Sequence, residues 1–277
     1  MKNFRDKVVV VTGAGSGIGR ALALDLAERG AQLAISDVDP TGLATTGALI
    51  AEKTPGAQVH SQLLNVAERE AVLAYADTVA EHFGVVNAVV NNAGIAHHGD
   101  LETMEFKDIE RIMDVDYWGV VNGTKAFLPA IIASGDGAIV NISSLFGLLG
   151  IPGQTAYNSA KFAVRGFTEA LRQEMLLNHP EVKVTCVHPG GIKTAVARNA
   201  TTSGDLDSFA ALFDKYLAHT SPESAARIIL SAVGRENARV LVGPDAKVLD
   251  LLVRLTGSAY QGTVARVTRF ALDRFNG

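Results

Sequence analysis

Tyr157 and Lys161 stand four residues apart in the stretch AYNSAKFAV. On a helix that spacing puts both side chains on one face. A free tyrosine has a pKa near ~10, too high for a base at neutral pH. A cation about 4 Å from a phenolate contributes up to about 4 kcal/mol at an effective dielectric near 20. At about 1.36 kcal/mol per unit this is roughly 3 pKa units, before desolvation opposes it. The pair is therefore suited to general acid–base catalysis. An isolated Y-x-x-x-K is more commonly an exposed polar contact, so its chemistry depends on what the chain brings beside it.

A second constellation lies near the start. VVVVTGAGSGIGRALA joins an apolar run to a helical pattern through Gly13, Gly15, Gly17 and Gly19. Such a turn lets a phosphate approach the backbone, and the helix opening near Ile18 offers free N–H groups at its positive end. A pyrophosphate fits that environment. Tight strand–helix packing would use the same glycines, but the strand before and the helix after favour the binding reading. Asp37 stands 18 residues beyond Gly19, at the tip of the next apolar run. A carboxylate there accepts hydrogen bonds from ribose hydroxyls and repels a 2′-phosphate. No Lys or Arg occurs from Ala31 to Glu52 to neutralise such a phosphate. NAD is expected over NADP. The alternative for Asp37 is a cap before Pro40, a role open to Asp39 as well.

The elements that must position these groups follow from periodicity. Strands are expected at KVVVVT, AQLAIS, AQVHSQLL, VNAVVNNAG, GAIVNISS, KVTCVHPG and ARVLVG. Helices are expected over about 18–29, 41–53, 67–83, 103–133 and 156–178, with further helical patterns before the last strand. Strands apolar on both faces and separated by helices indicate a parallel sheet covered on both sides, and right-handed crossovers make it doubly wound. In such a sheet ligands bind beyond the carboxyl ends of the strands. The chain of 277 residues, 48% hydrophobic, suffices for one large α/β domain or two small ones. RNATTSGDLDSF is a polar loop, either a lid over a site or a plain surface connection.

Composition removes other classes. A net charge of −4 and a pI near 6.0 give no electrostatic case for nucleic acid. The single Cys186 excludes an internal disulfide and points to a reducing cytosol, and its apolar surroundings mark it as a packed hydrophobe. The apolar run after MKNFRDK is too short for a signal-peptide core, and no stretch approaches the ~18–20 apolar residues that span a bilayer.

Taken together, TGAGSGIG, NNAG at 91–94, Ser144 in NISS, YNSAK at 157–161 and PGGIKT at 189–194 resemble the short-chain dehydrogenase/reductase family in its single-domain branch. The match covers residues 7 to about 245. The resemblance implies a single-domain, Rossmann-type α/β fold of about seven parallel strands with helices on both faces. It implies hydride transfer between a nicotinamide cofactor and a carbon bearing a hydroxyl or carbonyl. Tyr157 would then be the general acid/base and Ser144 would hold the substrate oxygen. Lys161 would activate Tyr157 and bind the nicotinamide ribose. Gly13, Ser16, Gly17, Ile18 and Gly19 would line the cofactor turn. Asn91, Ala93 and Gly94 would lie beside the adenosine ribose, and Pro189, Gly190, Ile192 and Thr194 would hold the carboxamide. The resemblance also implies a homodimer or homotetramer, with pairing through the long helix near Tyr117 and Trp118.

Two positions depart from the family. Asn65 and Val66 stand where Asp and an apolar residue usually grip adenine, and an Asn carbonyl can still accept from the adenine amine. Asp116, three residues before Gly119, replaces an Asn that helps hold a water in a proton relay. Its charge can pair with Lys161, and the relay is expected to survive through backbone contacts.

His97 and His98 have no further ligands at metal spacing and belong to a substrate-side or surface loop. Leu145, Phe146, Leu148 and Leu149, with Phe209 and Phe213 near the loop, point to an apolar alcohol or ketone. A dinucleotide-binding regulator with little turnover is the alternative, with Asp116 as its symptom. Epimerases of the extended branch fit poorly, because the glycine spacing differs and no sizeable second domain follows. Residues 1–245 are expected to form the NAD-binding catalytic domain. Residues 246–277 form a helical extension that packs on the domain or a neighbouring subunit, with interfacial membrane contact the lesser reading.

Overall fold

The computed structural model describes residues 3–193, 201–202 and 220–275. Seven strands form one parallel sheet: β1 (Val8–Thr12), β2 (Gln32–Asp37), β3 (Val59–Leu63), β4 (Ala88–Asn91), β6 (Gly137–Ile142), β7 (Val182–Pro189) and β9 (Arg239–Val242). Their order is β3-β2-β1-β4-β6-β7-β9. The chain starts at the centre with β1 and builds outward through β2 and β3, then returns to lay β4 on β1's other side. That reversal opens a crevice between the carboxyl ends of β1 and β4. The doubly wound sheet expected from the alternation is therefore present.

Helices cover both faces. On one side α1 (Gly17–Glu28), α2 (Pro40–Lys53) and α7 (Pro222–Gly234) bury Leu22, Leu26, Leu43, Ile50, Ile229 and Val233 against the strands. On the other, α3 (Arg69–Phe83), α5 (Gly119–Ala133) and α6 (Thr155–Asn178) bury Tyr75, Phe127, Ile131, Leu171 and Met175. Central strands β1, β4 and β6 are buried along their whole length, which is why they are unbroken apolar runs. β3 departs from that pattern. It is an edge strand, half-exposed, and Leu63 lies open at its end.

The single helical stretch expected over 103–133 is divided. α4 (Phe106–Met113) leads into a π-helical turn over Asp114–Trp118, and α5 continues from Gly119. A five-residue π turn inserts one extra residue into a helix and is common beside functional sites. Periodicity over so long a window averages across such an insertion. A second small sheet pairs β5 (His97–His98) with β8 (Thr201–Thr202). It adjoins the polar loop, the rest of which, with Thr194, Phe209 and Phe213, lies outside the described residues.

After β9 come α8 (Pro244–Thr256) and α9 (Tyr260–Phe275), joined by a 3₁₀ turn. α8 starts at Pro244, ahead of residue 246, and its first turn packs against residues that line the pocket. Ala246, Leu249 and Val253 pack with Leu145, Leu148 and Leu149. Among the described residues no helix is long and apolar enough to cross a membrane.

Candidate active site

The crevice is one continuous pocket. Its wall includes Gly13, Ser16, Gly17 and Ile18 after β1, Asp37 and Val38 after β2, and Leu64–Val66 after β3. Asn92–Ala96 follow β4, Ile142–Phe146 follow β6, and Pro189–Ile192 follow β7. Tyr157 and Lys161 enter from α6. Most residues expected from the sequence are therefore brought together.

The glycine turn is packed to contact. Gly13 has φ +66°, and a Cβ there would meet the Ala93 Cα at 2.7 Å. Gly19 does not line the pocket. It faces the Gly13 carbonyl and the Asn92 amide, with no space for a Cβ, so its role is to let α1 close on β1. Asn91 is also displaced from its expected place. Its amide is fully buried and donates to Thr124 at 3.0 Å and Asn141 at 2.8 Å. Strand alternation turns Asn91 into the sheet and leaves Asn92 to face the turn. Asn92 Nδ2 donates to the carbonyls of Thr12 and Gly13, at 3.0 and 3.1 Å. Thr12 Oγ1 accepts the N–H groups of Asn92 and Ala93, at 3.0 and 3.1 Å. These bonds sew the two diverging strand ends together.

Asp37 lies at the mouth of the turn. Its Oδ2 accepts the Gly15 N–H at 2.7 Å and its Oδ1 accepts that of Asp39 at 2.9 Å. The cap of α2 is Asp39, which accepts from Thr41 at 3.0 Å. A carboxylate offers about four acceptor directions, so Asp37 keeps capacity for hydroxyl donors. Arg20, outside the span considered in the sequence, reaches the same turn. Its guanidinium is held by Thr46 Oγ1 at 2.9 Å and by the carbonyls of Gly42 and Gly15. Asn65 lines the wall with its side chain turned to its own loop: Oδ1 accepts from Ala67 at 3.2 Å and Nδ2 donates to Glu68 at 3.0 Å. A glycine turn at a helix N-terminus, a carboxylate two strands along and apolar slots at Ile18, Val38 and Val66 fit an adenine dinucleotide.

At the other end, Lys161 and Asp116 form a buried pair, 3% and 0% exposed, with Nζ 3.1 Å from Oδ2. The π turn points Asp116 inward, where Oδ1 accepts the Ile95 N–H at 2.8 Å. Lys161 Nζ also donates to the Ile142 carbonyl at 3.4 Å and lies 5.4 Å from the Tyr157 ring centre. Gly94 packs against this pair, not apart from it. Burial works against the Lys161 charge, yet Asp116 and Tyr157 together hold its pKa above the ordinary lysine value. Burial raises that of Asp116, with Lys161 and the Ile95 N–H opposing.

Tyr157 departs from the expected direction. Burial pushes its phenol up, Lys161 pulls it down, Asp116 pushes it up again and Ser144 pulls it down. The outcome lies above the ordinary tyrosine value, because desolvation dominates and Asp116 offsets part of the lysine's effect.

Four further side chains support the site. Asn158 Nδ2 donates to the carbonyls of Phe146 and Leu149, at 2.6 and 2.8 Å, fixing the loop after Ser144. Buried His188, its pKa lowered to about 4 by burial, is neutral and contacts the Ser144 carbonyl through Nδ1 at 2.9 Å. Asp245, in the first turn of α8, accepts the Gly191 N–H at 2.7 Å and pins the loop after β7. Gln154, nearly buried in the pocket wall, meets His98 Nδ1 at 3.2 Å. His97 is itself buried and bonds Thr201 Oγ1 at 2.9 Å, so it is no surface residue. Cys186 is packed inside β7, its thiol pushed up to about 12 by burial.

Comparison with known proteins places the chain. The family model for short chain dehydrogenases matches residues 7–204. The putative oxidoreductase SadH of Mycobacterium tuberculosis is 65% identical over 267 residues, covering 96% of both chains. A short-chain dehydrogenase/reductase from Burkholderia phymatum in complex with NAD superposes with a TM-score of 0.86 at 28% identity, covering 92% of this chain and 95% of that one. An alcohol dehydrogenase from Thermococcus sibiricus, complexed with 5-hydroxy-NADP, superposes at 0.73 with 26% identity, covering 86% and 95%.

The buried pair has a measurable signature. Lys161→Met strands the Asp116 carboxylate and is expected to cost about 3–5 kcal/mol in urea unfolding of the ligand-free protein. Adding Asp116→Asn to that variant is expected to restore most of the loss.

Proposed function

The chain belongs to the short-chain dehydrogenase family of oxidoreductases, and from that premise we propose that it moves a hydride between NAD(H) and an apolar secondary alcohol or ketone. The observation that carries the reading is the convergence of Ser144, Tyr157 and Lys161 on one pocket with the glycine turn and Asp37.

The cofactor would lie along the crevice. Ser16, Gly17 and Ile18 at the α1 N-terminus receive the pyrophosphate, where backbone N–H groups and the helix dipole favour negative charge. Gly13, Ala93 and Gly94 border the chain of sugars. Asp37 takes the adenosine ribose hydroxyls and disfavours a 2′-phosphate; Arg20 is committed to backbone carbonyls and Thr46. Leu64, Asn65 and Val66 flank adenine. Pro189, Gly190 and Ile192 border the nicotinamide, as Thr194 would. When bound, the nicotinamide supplies the hydride acceptor or donor and, oxidised, a positive ring.

Tyr157 takes the alcohol proton, or returns it in the reverse direction. Lys161 stabilises the phenolate and reaches toward the nicotinamide ribose. The Ser144 hydroxyl accepts from the Phe146 N–H at 3.1 Å, which leaves its own proton for the substrate oxygen. Asp116 is a positioning residue: it anchors Lys161 and the Ile95 backbone while tempering the lysine's pull on Tyr157. Ile95, Ala96, Val115, Leu145 and Phe146 make the substrate side apolar, with Gln154 as a polar contact in it.

One feature favours the second reading, a dinucleotide-binding regulator with little turnover. Asp116 weakens the activation of Tyr157. Turnover decides between them. NADH absorbance is followed with a panel of apolar ketones and alcohols. Tyr157→Phe is expected to lose about 10²–10⁴ in kcat while retaining NADH binding. Tight NADH binding without turnover in the parent protein would instead establish the regulator.

Asp37→Ala is expected to narrow the preference for NAD over NADP by about tenfold or more, the effect of removing about 1.4 kcal/mol of charge repulsion. Ratios of kcat/KM for the two cofactors measure it. In alcohol oxidation the active base is the phenolate, so the rate rises as pH passes the Tyr157 pKa. Asp116 holds that pKa up. Asp116→Asn is therefore expected to move the rising limb of the pH–rate profile to lower pH.

A further inference from the structure

The two helices after β9 carry more apolar side chains than the body covers. Along α8, Ala246, Leu249 and Val253 face the Leu145–Leu149 cluster. A second apolar set, Val248, Leu251, Leu252 and Leu255, stays exposed, Leu255 at 77%. These positions fall at helical spacing, as one continuous stripe. On α9, Val267 and Phe270 are exposed as well, Phe270 at 66%. Exposed basic residues stand beside them: Lys247, Arg254, Arg266 and Arg269. Arg254 is paired with Asp250 at 2.8 Å.

Charge argues for a particular occupant. Residues 244–277, from the start of α8, hold five basic and three acidic side chains, a balance of +2. The whole chain carries −4, so residues 1–243 carry −6. Basic charge and uncovered apolar surface are thus concentrated in the same two helices. Two such surfaces paired about a two-fold axis would set +2 against +2, which disfavours a self-complementary contact between copies. An anionic lipid surface offers both partners at once, hydrocarbon for the leucines and headgroup charge for the arginines.

We propose that α8 and α9 dock this protein on anionic membranes, lying in the interface without crossing it. The surface is tied to the substrate side of the pocket. Tyr260 Oη, at the start of α9, accepts the Gly150 N–H at 2.8 Å, six residues beyond Ser144. α8 packs on the same loop and supplies Asp245 to the loop after β7. Docking there would bring the apolar end of the pocket toward the bilayer, where lipophilic alcohols and ketones concentrate. That consequence rests on the oxidoreductase reading above; the docking itself does not.

The full chain is floated in density gradients with vesicles of phosphatidylcholine alone or mixed with phosphatidylglycerol. The parent protein is expected to rise with the mixed vesicles, remain below with the neutral ones, and be released by high salt. Leu251→Asp/Leu255→Asp and Arg266→Glu/Arg269→Glu are each expected to lose most of the floating fraction. Their mass by light scattering and their thermal unfolding should remain unchanged, since all four residues are exposed. Failure of the parent protein to float with the mixed vesicles overturns the proposal, as does undiminished flotation of both variants. A fall in mass of the variants assigns the face to a second copy and equally overturns it. No turnover enters these measurements, so docking and catalysis fail separately.

Discussion

Where β1 and β4 part at the centre of the sheet, their ends must be closed without filling the crevice between them. Thr12 and Asn92 meet that constraint. One hydroxyl receives two backbone N–H groups, and one amide bridges two carbonyls across the divide. The polar groups that the diverging strands would otherwise strand are satisfied by each other, which leaves the pocket wall to glycine and small side chains. The glycine turn is built on this seam. Gly13, in its left-handed turn, lies against Ala93, and Gly19 lies against the Gly13 carbonyl and the Asn92 amide, so neither has room for a Cβ.

The same economy governs the catalytic end. Burial works against the charge of Lys161, and Asp116 supplies a counter-charge from a π turn that a regular α turn would not present in the same way. The result is a lysine held firmly cationic and firmly in place, at the expense of part of its influence on Tyr157. Ser144 is fixed independently, by His188 through its carbonyl and by the loop that Asn158 braces.

Much of this was legible in the residues. Alternating apolar runs and helical patterns were sufficient for the sheet, because central strands buried on both faces leave an unmistakable signature. The glycine turn and Asp37, read from the residues, and Ser144, Tyr157 and Lys161, taken from the family resemblance, line one pocket. Less legible were features set by geometry between elements. Asn91 and Asn92 are adjacent and chemically identical, and only the pleat decides which faces the turn. The direction of the Tyr157 shift depends on burial, which no motif encodes. His188 and Asp245 act through backbone groups 44 and 54 positions away, so nothing in their own neighbourhood announces them, and Asn158 lies inside YNSAK but acts on the loop that precedes it. His97 looked like a loop residue because its strand partner, Thr201, lies 104 positions away.

The π turn at Asp114–Trp118 sets the phase of everything after it. One surplus residue rotates the following helix by roughly 100° relative to an uninterrupted one. With that offset Asp116 faces Lys161 while Gly119, one turn on, lies flat against Val66 at the other end of the crevice. A single kink thus keeps both extremities of the crevice in angular step, and shortening it by one residue would detune them together.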